Sequence, residues 1–78
     1  MPTILRLLGF RFFFYSNEGK ELPHVHVEKG DAQGKYWLDS LEKDYMDGFP
    51  KGKEKQVREI VSEHKEKFYQ NWHDHFKS

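Results

Sequence analysis

Asn17-Glu18-Gly19-Lys20-Glu21-Leu22-Pro23-His24-Val25-His26-Val27-Glu28 runs from a polar turn into a strand. Side chains alternate between the two faces of a strand. His24, His26 and Glu28 therefore share one face, and Val25 and Val27 share the other. The valines mark a core side and the histidines a side that points away from it. Pro23 fixes its own φ and drives Leu22 toward an extended conformation, which suits the first residue of a strand.

Downstream, Glu28-Lys29-Gly30-Asp31-Ala32 reads as a hairpin turn with Gly30 free to take a positive φ. Gly34-Lys35-Tyr36-Trp37-Leu38 is the returning strand. Upstream, Thr3 to Leu8 is an apolar, β-branched run of strand length, interrupted by Gly9. Phe10 to Tyr15 is aromatic at every position but Arg11, so rings are expected on both faces of that strand. Ser16 to Lys20 has turn composition. Asp39 to Pro50 reads two ways: a short helical turn capped by Asp39 with Glu42, or an irregular edge strand through Leu41 and Tyr45. Asp47-Gly48-Phe49-Pro50 is a turn on either reading.

From about Lys53 to Phe76 the apolar residues fall at Val57, Ile60, Val61, Phe68, Trp72 and Phe76. They make a stripe of helical period. Pro50 and Gly52 argue against an earlier start. Glu54 with Arg58, Lys55 with Glu59, and Glu63 with Lys67 place opposite charges four apart on the wet side. Such a helix is roughly 36 Å long at 1.5 Å per residue. It must overhang the sheet or fray near Trp72. The expected fold is α+β and a single domain over residues 1–78: an antiparallel meander of about four strands with one long C-terminal helix across one face. Val25, Val27, Val57, Ile60, Val61 and Phe68 are the expected core.

The chain has 78 residues, no Cys, 17% aromatic residues and a formal net charge of +0. Disulfides and cysteine-based metal sites are excluded. A balanced charge does not describe a strongly basic nucleic-acid module. No apolar run is long enough to span a membrane. The first residues show no signal-peptide pattern, which fits a cytoplasmic location.

His24-x-His26 is the main sign of chemistry. Two imidazoles at alternate strand positions can reach one divalent metal, and a catalytic zinc needs a third protein ligand. Glu28 lies about 13–14 Å along the strand from His24, so it is a neighbour of His26 rather than a joint chelator. The plain alternative is a pair of histidines bonded to nearby backbone or carboxylate. His64 sits on the apolar stripe and reads as a histidine at the core edge. His73-Asp74-His75 reads as a solvated tail. No phosphate-binding glycine loop or nucleophile elbow is present. Lys51, Lys53 and Lys55 read as a solvated face. Arg6 and Arg11 among the aromatics could form a single-strand binding surface, which the charge balance argues against.

Met1-Pro2-Thr3-Ile4-Leu5-Arg6, Gly9 to Glu18, and Pro23-His24-Val25-His26-Val27-Glu28-Lys29-Gly30-Asp31-Ala32 resemble a family of small bacterial proteins, the domain-of-unknown-function family labelled four-one-six-zero. Gly48-Phe49 and the helix through Phe68, Trp72 and Phe76 share the likeness. His24 and His26 match the family's His-x-His positions, His64 does not clearly match, and Leu22 departs from a frequent second proline. The resemblance implies a short cytosolic protein, with a toxin–antitoxin role. It supplies no reaction, cofactor or catalytic residue.

Two functions remain open. One is a small partner-binding module, such as half of a toxin–antitoxin pair, whose binding face carries Arg11, Phe13, Tyr15, His24, His26 and Glu28. Its partner would be a small protein or a second copy. The other is a metal-assisted hydrolase or nuclease holding a divalent metal on His24 and His26. One helix can cover only one sheet face, so exposed aromatics are expected around the histidines on the other. Alanine at both histidines should then leave stability within about 1 kcal/mol.

Overall fold

A computed structural model describes residues 3–15 and 19–76. Five strands form one antiparallel sheet in the order β1-β2-β3-β4-β5: Thr3–Leu7, Phe10–Phe13, His24–Lys29, Ala32–Trp37 and Lys43–Asp47. Two helices follow, α1 at Lys51–Glu63 and α2 at Lys65–Phe76. The fold is therefore α+β and a meander, with one strand and one helix more than the sequence pattern implied.

The extra strand comes from the segment that read two ways. Lys43–Asp47 pairs antiparallel to β4, and a bulge between Lys35 and Tyr36 shifts the register. That irregularity hid the period-2 signal. The aromatic run ends its pairing at Phe13, and Phe14 leaves the strand to meet α2. The first strand likewise ends at Leu7, because Leu8 and Gly9 form a two-residue hairpin turn with φ of 54° and 85°. Two consecutive positive φ values are the signature of a type I′ turn. The expected Ser16–Lys20 turn lies partly outside the described residues.

The second helix arises from a break at His64 (φ −108°, ψ 20°). The carbonyl of Ile60 accepts both the backbone N–H of His64 and its ring Nδ1–H, each at 3.0 Å. A side-chain donor competing within the helical ladder is a known cause of a kink. Beyond it, Phe68 meets Phe12 at 5.5 Å between ring centroids, and Trp72 is 5% exposed. The helix therefore does not fray at Trp72, whose ring packs against His24 of β3. Its start is also earlier than the pattern implied: Pro50 occupies the N-cap position and Gly52 lies in the first turn, where N–H groups lack helical partners in any case.

Between the layers lie Phe10, Phe12, Val25, Val27, Tyr36, Leu38, Val57, Ile60, Val61 and Phe68. All six residues expected in the core are there. Gly34 is required at its position: a Cβ would overlap Met46 Sδ and stand 3.1 Å from both Val27 Cγ1 and the Tyr45 carbonyl oxygen. Close approach of neighbouring strands is a common reason for a strand glycine.

Candidate functional site

With the valines of β3 turned to the helices, His24, His26 and Glu28 occupy the opposite face, as strand parity requires. The registers align that face into cross-strand rows. Thr3, Phe13, His26, Lys35 and Tyr45 form one row over all five strands. Arg6, Arg11, Glu28, Gln33 and Asp47 form a second. His24 opposes Trp37 at the end where β3 begins.

The histidines are inside the molecule, which corrects the expectation that they stand on an open face. His24 is 1% exposed and donates from Nδ1 to the Leu22 carbonyl at 2.9 Å. Its ring lies 4.8 Å from Trp72, 5.2 Å from His26 and 5.5 Å from Trp37. The end of α2 reaches round the sheet margin and closes over it. His26, 6% exposed, stacks on Phe13 at 5.5 Å and meets the edge of Tyr15 at 4.8 Å. Tyr45 Oη is 3.5 Å from His26 Nδ1.

Exposed apolar area on this face is correspondingly small. Phe13 is 4% exposed, while Tyr15 at 38% is the ring there that faces water most. Packing explains the difference. The Arg11 guanidinium lies 4.4 Å above the Phe13 ring and is ion-paired with Glu28. Thr3 Oγ1 accepts from Arg11 Nε at 2.8 Å, fixing the fork from a third side. Lys35, 8% exposed, bonds Glu21 at 2.7 Å and lies 4.5 Å over Trp37. Glu21, which precedes β3, therefore covers part of the face.

The structure thus brings five expected site residues, Arg11, Phe13, Tyr15, His26 and Glu28, into one patch, with His24 tucked behind it. Glu28 is engaged by Arg11. His64 lies in the helical layer beside Phe68. Among the described residues, no group of three metal-ligating side chains comes together. The His73–His75 tail is also corrected: both are exposed, yet they ride on an ordered turn of α2, with His75 5.2 Å from Phe14. Lys35, Trp37 and Tyr45 were missed as neighbours. Parity within β4 (Gln33, Lys35 and Trp37 against Gly34, Tyr36 and Leu38) could have found the first two, whereas Tyr45 lies beyond the bulge.

A cleft of about 540 Å³ lies away from the histidines, between α1 and the β4–β5 turn, lined by Tyr36, Leu41, Lys43, Glu54, Lys55 and Arg58. Tyr36 Oη donates to the Glu54 carbonyl at 3.1 Å. Burial first, and then the Glu54 carboxylate, push the Tyr36 hydroxyl above its usual range, with Arg58 pulling the other way.

A small five-stranded meander backed by two helices, with a basic, acidic and aromatic face opposite them, is the class of protein these features define. The chain belongs to the family described as a domain of unknown function, DUF4160, whose model matches residues 9–73 of the 78. The matched span contains Pro23-His24-Val25-His26 and ends just past Trp72. Strand β1 and Phe76, which also shared the resemblance, lie outside it. No curated protein and no solved structure matches the chain. No helix among the described residues is long and apolar enough to cross a membrane.

Proposed function

We propose that the chain is a partner-binding module acting through the strand face of Arg11, Phe13, Tyr15, His26 and Glu28, with His24 supporting it from behind. The proposed partner is a small protein within the cytoplasm, either the other half of a toxin–antitoxin pair or a second copy of the chain. The observation that carries the reading is the Arg11 side chain, held between the Phe13 ring and the Glu28 carboxylate. A long side chain already fixed in place loses little entropy on binding. Arg and Tyr are among the residue types that most often dominate interface energies, and Tyr15 stands exposed beside it. The test is co-purification of the tagged chain from its native cell, followed by reconstitution with the recovered protein. Tyr15→Ala should weaken that complex at least tenfold. Equal binding by the variant contradicts the proposal.

A second reading, a metal-assisted hydrolase or nuclease, draws on the 5.2 Å separation of the His24 and His26 rings. That spacing lets two imidazoles approach one ion and supplies two of the three protein donors of a catalytic zinc. Because His24 Nδ1 bonds Leu22, its Nε2 would be the donor. Titration with Zn²⁺, Ni²⁺ and Mn²⁺ at about pH 7.5, where imidazoles are mostly neutral, tests this. No binding at micromolar metal removes it.

A further inference from the structure

We infer that the partner this face fits is a second copy of the chain, with β1 of one copy lying over β5 of the other. The inference rests on the partner-binding reading of the same face and adds the identity of the partner. It comes from the order of charges along one row. Arg6, Arg11, Glu28, Gln33 and Asp47 are aligned across β1 to β5 by the strand registers. Both cations lie on the β1 side, and both anions lie on β3 and β5. Arg6 and Asp47 end the row, both exposed. Neither has an ion-pair partner among the described residues.

This row is complementary to itself. A two-fold axis parallel to the strands and above β3 carries β1 of one copy over β5 of the other. Arg6 of each copy then meets Asp47 of the other, and Arg11 meets Gln33. Glu28 meets its own counterpart on the axis, and each is neutralised by the Arg11 beside it. A C2 contact of this kind uses the same patch on both subunits and closes without leaving a free surface for further addition. Two twisted sheets can pack face to face in this way with strands crossing at about 30°.

Size sets the expected strength. Four strand spacings of about 4.8 Å by five residues of about 3.3 Å give a flat footprint of roughly 300–350 Å² per copy. Even allowing for side-chain relief, this falls short of the roughly 800 Å² per partner of a standard interface. The dimer is therefore weak and reversible. Exposed charges screen over about 8 Å at physiological salt, so association falls as salt rises.

Sedimentation equilibrium at up to about 1 mM chain, in low and high salt, tests the inference. Wild type should self-associate, more weakly at high salt. Arg6→Glu alone and Asp47→Lys alone should each weaken association at least tenfold, because each places like charges opposite one another. Mixing the two variants should restore it as a heterodimer. The introduced carboxylate of one chain then faces the introduced ammonium of the other, and the unaltered Arg6 and Asp47 still meet at the opposite end. Both positions are exposed, and thermal melting confirms that the variants fold. A wild type that stays monomeric, a single variant that associates like wild type, or a mixture that stays apart overturns the inference. If wild type is monomeric while another protein co-purifies and is lost with Tyr15→Ala, the second-copy inference falls and the partner-binding reading stands.

Discussion

The Trp72 ring of α2 rests 4.8 Å from the His24 ring of β3. One residue comes from the helical layer and the other from the strand face turned away from it. They meet because α2 passes the end of the sheet where β3 begins. Phe14 joins the contact at 5.4 Å from Trp72. The candidate face and the helical layer are thereby joined through a buried histidine.

His24→Ala should therefore destabilise the fold by about 2–4 kcal/mol, because it opens a cavity against Trp72 and leaves the Leu22 carbonyl without its donor. This replaces the expectation of a change within about 1 kcal/mol, which assumed a surface residue. Urea unfolding followed by Trp fluorescence measures it. A loss under about 1 kcal/mol, the surface scale, would show that His24 does not support the sheet end.

Gly34→Ala should cost about 1–3 kcal/mol, the usual range for forcing a methyl into a packed site. Met46 can move its thioether, but the Tyr45 carbonyl and Val27 cannot both withdraw. The same unfolding assay reads the effect, and an unchanged midpoint would mean that β4 and β5 separate more easily than their register implies.

Leu8 occupies the left-handed region at φ 54° and is 61% exposed. A leucine there is strained, whereas asparagine is favoured at the first position of a type I′ turn. Leu8→Asn should stabilise the fold by about 0.5–1 kcal/mol, a rise in Tm of about 2–8 °C for a chain this size. A lower Tm would mean that the exposed Leu8 side chain makes a stabilising contact.

Alkaline pH should weaken the fold through Tyr36. Its hydroxyl holds the proton more tightly when folded than when unfolded, where it titrates near 10.0. The contribution is complete below that value. Above it the unfolded state loses its proton first, and stability falls until the folded hydroxyl also titrates. Tyr36→Phe should be less stable at neutral pH, having lost the bond to the Glu54 carbonyl. It should also show a shallower decline between about pH 9 and 11. Parallel declines in the two proteins would assign the alkaline loss elsewhere.

Much of the fold was legible because two periods are cleanly written. Alternation at His24–Glu28 fixed which residues of β3 face the helices. The stripe from Val57 to Phe68 fixed the helical side. What escaped depended on non-local geometry. β5 needs the bulge beside Lys35 to bring Tyr45 into register. The break at His64 accompanies a ring N–H bonded to the Ile60 carbonyl, which periodicity does not encode. At the site, parity placed Arg11, Phe13, His26 and Glu28 together. It could not show that Arg11 would hold Phe13 and Glu28, that Glu21 would return to Lys35, or that α2 would close over His24. Those contacts turned an expected open aromatic face into a packed one with Tyr15 at its surface.

Hydroxyl-radical footprinting of the tagged chain, free and dilute against bound in native-cell extract, reads out which surface the partner covers. Tyr15 and Tyr45 report on the strand face, and the half-buried Tyr69 of α2 reports on the helical side. Modification of Tyr15 and Tyr45 should slow several-fold in the extract while Tyr69 is unchanged. Protection of Tyr69 with Tyr15 and Tyr45 unaffected would contradict it, placing the binding surface on the helices.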